Sequence, residues 1–210
     1  MGRNKLLIVG IIVLIAIVAS IFFIFNRKTE EGQIQMEETS ISEPKMLQST
    51  PESAMSKKTY QAPPAVLDIS EIEGKKARIK TGKGDIVLEL LPEAPLASSN
   101  FIFLTNEKFY DGLTFHRREE NFVIQGGDPN GNGTGGPGYK FDDETVVGDY
   151  ERGIVAMANS GPNTNGSQFF IMLANNPLPK NYTIFGRVVY GMDVVDKIQI
   201  GDTMSEVTVE

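Results

Sequence analysis

The sequence contains no cysteine, no tryptophan and a single histidine, His116. Without Cys there is no disulfide scaffold, Cys-ligated zinc, iron–sulfur cluster or thiol nucleophile. One imidazole excludes a His-rich metal site and any mechanism needing two histidines. A basic excess is also lacking. The 210 residues hold 27 Asp+Glu against 20 Lys+Arg, for a net charge of -7, which argues against a general nucleic-acid binder.

What is present falls into three segments. Residues 1–28 carry four bases and no acid, residues 29–73 nine acids and three bases, and residues 74–210 eighteen acids and thirteen bases. Within residues 6–25 only Gly10 and Ser20 are not strongly apolar. At about 1.5 Å rise per residue, a helix of that length covers the roughly 30 Å of bilayer hydrocarbon. A cleaved signal peptide is the alternative, with a weak site at Val18-Ala19-Ser20. Its apolar core would span only about 7–15 residues, and the apolar run 21–25 would be an odd start for a mature chain. The pattern predicts a short tail over 1–5 and an uncleaved anchor over 6–26 in contact with the lipid bilayer. Two bases flank each end, but the free amino group adds charge to the tail and Glu30 and Glu31 follow the second pair. The expected location is a single-pass cell-membrane protein with its tail inside and the remainder extracytoplasmic.

Residues 27–73 show no sustained apolar period and are rich in Glu, Ser, Thr, Gln and Pro, including Pro44, Pro51, Pro63 and Pro64. Such a stretch buries too little apolar surface to offset its ordering entropy and is expected to be a disordered linker. From Gly74 the texture changes to that of one globular domain, 74–210. Residues 77–81, 82–85 and 86–91 read as strand, turn, strand. Pro95 opens a helix with Ala97, Phe101 and Leu104 at i, i+4 and i+7. Short apolar runs at 113–116, 122–125, 154–157, 169–173 and 183–189 then alternate with Gly, Asn and Pro turns. A second helix fits 192–198, and Val207 and Val209 suggest a closing strand. Many short strands with two helices indicate a mainly β domain whose antiparallel sheet closes or nearly closes.

The chemistry-bearing residues cluster in 115–128 and 157–170. No hydroxyl there has an evident base partner, and nothing in the spacing pairs Ser160 or Ser167 with His116. A fixed cation (Arg117), two carboxamides (Gln125 and Gln168) and two aromatics (Phe122 and Phe170) remain. Such a set can bind an apolar ring and direct hydrogen bonds at an amide, with no proton transfer, metal or cofactor. Two motifs in the glycine-rich stretch are decoys. Residues 131–136 satisfy G-x-G-x-x-G, but Pro137-Gly138 stops the helix a dinucleotide site requires. Residues 128–133 open like a calcium loop, yet its twelfth position is Tyr139 rather than a bidentate Glu.

In order, F-H-R, F-x-x-Q-G-G-D, N-G-T-G-G, M-A-N-x-G-P-N-T-N-G-S-Q-F-F and F-G-R-V resemble the cyclophilin family of peptidyl-prolyl cis–trans isomerases over about residues 76–200. The resemblance implies a closed eight-stranded antiparallel barrel capped by two helices, no cofactor, and proline-containing unfolded or flexible polypeptides as substrates. Arg117 matches the family's catalytic arginine, with His116 beside it. Phe122, Val123 and Phe170 would line the proline pocket. Gln125 and Gln168 would hold the substrate backbone, and Ala158 and Asn159 would form the groove for the preceding residue. Leu178 and Tyr182 fall in the segment that closes the pocket. That segment has no Trp, and Tyr182 replaces the family's frequent His, which implies weakened cyclosporin binding. A prolyl-peptide binding module or holdase on the same barrel is the alternative function, and the retained arginine weighs against it.

Overall fold

The computed structural model describes residues 58–210, so the expected tail, membrane anchor and linker up to residue 57 lie outside the described residues. Among the described residues no helix is long and apolar enough to cross a membrane. The elements in chain order are α1 (Ile69–Ile72), β1 (Lys76–Thr81), β2 (Gly84–Leu90), α2 (Pro95–Asn106), β3 (Arg117–Glu119), β4 (Val123–Gly126), β5 (Ile154–Met157), β6 (Phe169–Met172), β7 (Ile184–Tyr190), α3 (Met192–Val195) and β8 (Met204–Val209).

The strands form one mainly antiparallel, curled sheet in the order β3-β4-β6-β5-β7-β2-β1-β8. The expected barrel is therefore not closed by a ladder. Strands β3 and β8 are its two edges, and the seam between them is a single bridge, Thr114 to Thr203. Backbone bonds from Phe115 to Asp202 and from Met204 to Leu113 support it. The run 113–116, expected as a strand, spends its backbone on this seam, and the strand follows at Arg117–Glu119. A three-residue charged edge strand is too short and polar to zip further, which also protects the edge from foreign pairing.

Residues 58–73 depart from the expected disordered linker. Ile72 is fully buried, the Leu67 amide donates to Ser99 Oγ at 2.9 Å, and Tyr60 packs edge-on against Phe103. Sparse apolar residues suffice here because they dock on a surface the domain already presents, rather than building a core of their own.

Helix α2 buries all three positions its spacing marks, Ala97, Phe101 and Leu104. Its first turn is capped from a distance, with the Glu144 carboxylate accepting from the amides of Leu96 and Ala97 at 2.8 and 2.9 Å. Such a partner supplies acceptors for helix N–H groups that have none within the helix. Helix α3 ends at Val195, three residues short of expectation, yet Val194, Val195 and Ile198 are all buried.

Strand alternation divides the apolar residues into two clusters. Phe101, Ile124, Val155, Met157, Phe169, Ile171 and Phe185 belong to the main core around α2. Val123, Ala156, Phe170, Met172 and Ile184, one residue out of step, form a second cluster on the opposite face of β4-β6-β5-β7. Phe122, Leu178 and Tyr182 pack onto that second cluster, and the candidate site is built there.

Candidate functional site

A cavity of about 250 Å³ opens over the second cluster, lined by Arg117, Phe122, Val123, Gln125, Ala158, Asn159, Phe170, Leu178 and Tyr182. Nine of the eleven sequence-predicted site residues thus share one wall. Gln168 lines a neighbouring cavity of about 890 Å³, which shares Gln125, Ala158 and Asn159 with the first. His116 lines neither.

Register explains the convergence. Arg117 pairs with Gln125 across β3–β4, and Gln125 with Phe170 across β4–β6. Directly opposed residues project to the same face, so the cation, the carboxamide and the aromatic floor stand in a row. Arg117 Nη1 donates to Gln125 Oε1 at 3.0 Å, and Gln125 Nε2 donates to Gln168 Oε1 at 2.9 Å. Gln168 Nε2 donates to the carbonyls of Gly133 and Gly135 at 3.0 and 2.8 Å. The Arg117 guanidinium lies 5.8 Å from the Phe122 ring centroid, within cation–π range.

Glu119 was not singled out by sequence, yet its Oε1 accepts from both Nε (3.0 Å) and Nη2 of Arg117. The signal was available, since residues two apart on a strand share a face. Of the five guanidinium N–H groups, three are engaged, leaving one on Nη1 and one on Nη2 with no partner among the described residues.

The far wall is pinned by loops. Tyr182 meets Phe170 edge-on at 5.6 Å, and its backbone is clasped by Tyr150, whose hydroxyl donates to the Tyr182 carbonyl and accepts from its amide. Asn159 Nδ2 donates to the Asn181 carbonyl at 2.8 Å. Tyr150 lay in no motif, and only folding reveals its part. Gly127 of the Q-G-G-D run has φ +82°, and a Cβ there would sit 2.3 Å from the Ser167 carbonyl oxygen. The second glycine is thus required by the close approach of the two motif strands.

In the same run, burial raises the Asp128 pKa, but backbone N–H bonds from Asn130, Asn132 and Gly133 outweigh it and the net shift is downward. Its carboxylate serves the loop's own backbone, consistent with the decoy reading of the calcium-like sequence.

Burial lowers the His116 pKa; the charge of Arg117 adds to this and that of Asp128 opposes it. Both ring nitrogens are buried without a hydrogen-bond partner among the described residues. Well above pH 6.5 the ring is neutral whether folded or not. Below it, the unfolded chain takes up a proton that the folded chain resists, so stability falls with pH. Chemical denaturation between pH 6.5 and 5 should show this loss in the natural chain and a flatter profile for His116→Gln. Equal slopes in the two chains would exclude His116 as the cause.

Residues 76–210 match the family model described as cyclophilin type peptidyl-prolyl cis-trans isomerase/CLD. A peptidyl-prolyl cis-trans isomerase of Helicobacter pylori is 46% identical over 137 residues, 62% of this chain and 84% of that protein. Isomerase B of Bacillus subtilis is 49% identical over 129 residues, 60% of this chain and 90% of that protein. The crystal structure of a Cryptosporidium parvum cyclophilin-type isomerase superposes with a TM-score of 0.61 at 35% identity, covering 65% of this chain and 97% of that one. A second crystal structure of that protein, in the presence of the dipeptide Ala-Pro, gives 0.60.

Proposed function

The chain belongs to the cyclophilin-type peptidyl-prolyl cis–trans isomerases, and from that premise we propose that Arg117 and the pocket beside it carry the reaction. The barrier to peptide rotation is about 18–20 kcal/mol because resonance gives the C–N bond double-bond character. X-Pro bonds therefore isomerise in about tens of seconds at 25 °C, slowly enough to limit folding. At the twisted transition state the prolyl nitrogen loses conjugation and gains a usable lone pair. A guanidinium that donates to that nitrogen, and is less engaged with the planar amide, lowers the barrier selectively.

The observation that carries this reading is the pair of Arg117 N–H groups unengaged among the described residues, beside a cavity that Phe122, Val123, Phe170 and Leu178 also line. Gln125 and Glu119 hold the guanidinium still. Phe122, Val123, Phe170 and Leu178 hold the proline ring while the preceding carbonyl rotates, and Ala158 and Asn159 border the groove for the residue before it. No proton changes hands, so kcat/KM should stay flat from about pH 5.5 to 8, a range in which a participating imidazole would titrate. The test is refolding of a protein limited by proline isomerisation. Acceleration at substoichiometric chain indicates catalysis; suppressed aggregation without acceleration indicates a holdase.

The placement proposed for this activity is extracytoplasmic, with residues 6–26 in the lipid bilayer as a single-pass anchor. The apolar run and its flanking charges support it. Protease added to intact cells should digest the isomerase domain, and full protection would refute the outward placement. With Tyr182 and no Trp in the closing segment, cyclosporin should bind weakly.

A further inference from the structure

Residues 58–75 lie outside the span that matches the family, yet they join the catalytic domain at one informative place. The Tyr60 ring sits 5.1 Å from Phe103 and 6.3 Å from Phe109, which fixes its backbone against the glycine-rich loop. The Tyr60 amide donates to the Pro137 carbonyl at 2.7 Å. At the next residue, Gly138 has φ +98°, and a Cβ there would lie 2.6 Å from the Tyr60 carbonyl oxygen. Strap and loop are therefore in backbone-to-backbone contact.

That loop sets the polarity of the site. The carbonyls of Gly133 and Gly135 accept both N–H groups of the Gln168 carboxamide. The Gln168 oxygen is thereby left to face Gln125, which must present its own NH₂ to it and its oxygen to Arg117. A carboxamide has one donor end and one acceptor end, so the orientation chosen at the loop propagates along the row. If the loop carbonyls withdrew, Gln168 could turn over and Gln125 with it. An NH₂ group would then face the guanidinium.

We propose that Tyr60 is a positioning residue for catalysis: it braces the 133–138 loop, and through Gln168 and Gln125 it holds Arg117 in its productive orientation. The inference rests on the reading of Arg117 as the catalytic group, which Arg117→Ala tests separately. Tyr60, which lies N-terminal to the span matching the family, is then part of the enzyme rather than of a passive spacer.

The experiment compares kcat and KM of the full chain with those of Tyr60→Leu and Tyr60→Phe, well below each melting temperature. The Tyr60 hydroxyl is buried with no partner among the described residues, so Tyr60→Phe should match the natural chain. Tyr60→Leu should lower kcat about three- to tenfold with KM little changed, the scale of coupling carried through a packed network. Adding Gln168→Ala to Tyr60→Leu should cost no more than Gln168→Ala alone, because both act through the same carboxamide. If Tyr60→Leu does not fold, Gly138→Ala perturbs the same contact from the loop side and should show the same kcat loss. A lowered melting temperature with kcat intact would overturn the proposal, as would losses that multiply in the double variant. Should Arg117→Ala retain full activity, the reading of the site fails first and independently of Tyr60.

Discussion

Arg117→Ala should lower kcat/KM for a prolyl peptide by about 10²–10³-fold, the range typical of removing one transition-state donor. The loss should fall on kcat, because the donor acts on the pyramidal nitrogen of the twisted amide and much less on the planar one. Phe122, Val123, Phe170 and Leu178, proposed to hold the proline ring, are left in place, so KM should change little. The fold should survive as well. The Arg117 side chain is 43% exposed and, among the described residues, hydrogen-bonds only to Glu119 and Gln125. Arg117→Lys should not restore the rate, since an ammonium lacks the planar fork that can bond Glu119, Gln125 and substrate together. A protease-coupled peptide assay checks both variants, and near-natural rates for Arg117→Ala would sink the assignment.

The largest effect on stability should come from Phe101→Ala on α2. The ring is fully buried. It stacks on Tyr110 at 4.9 Å, meets Phe169 edge-on at 5.5 Å and lies 5.3 Å from Phe185. Truncation removes the centre of that aromatic group and leaves a cavity, at a cost of about 3–5 kcal/mol. Against a typical total of about 5–15 kcal/mol, this is enough to unfold part of the population at physiological temperature. Urea denaturation should show a lowered midpoint with an unchanged slope. A loss under about 1 kcal/mol would mean that Phe101 is not the keystone its contacts indicate, given the usual range for a buried aromatic. Phe169 ties this core to the candidate site, because its neighbour Phe170 lines the cavity of about 250 Å³ from the other side of the same strand.

Local spacing made much of this legible. The hairpin β1–β2 closes through Gly82 and Lys83 where the turn residues predict it. Pro95, Ala97, Phe101 and Leu104 mark the start and buried face of α2. The motif blocks marked Arg117, Gln125, Gln168, Phe122 and Phe170, and the structure brings these residues together around neighbouring cavities. Less legible were features whose partners lie far along the chain. Glu144 caps a helix 47 residues away, Tyr150 holds Tyr182, and Thr114 meets Thr203 to seal the sheet edges. The strap at 58–73 looked like linker because its few apolar residues have no period of their own, and only contacts with the domain, such as Tyr60 with Phe103 and Leu67 with Ser99, order them.

By itself the sequence determined the reaction class through motif blocks that resemble the cyclophilin family and match its model over residues 76–210; one cation, two carboxamides and the aromatics alone indicated only a site that binds an apolar ring and directs hydrogen bonds at an amide. It also determined which strands have two apolar faces, since runs such as Phe169-Phe170 leave no polar side. Only the tertiary structure decided which face became core and which lined the cavity, that His116 lines neither cavity, that Glu119 bonds Arg117, and that Tyr60 meets the loop at Pro137. The reason is physical. Side-chain chemistry and periodicity act over a few residues, whereas burial and hydrogen-bond polarity depend on segments brought together by packing from tens of residues away.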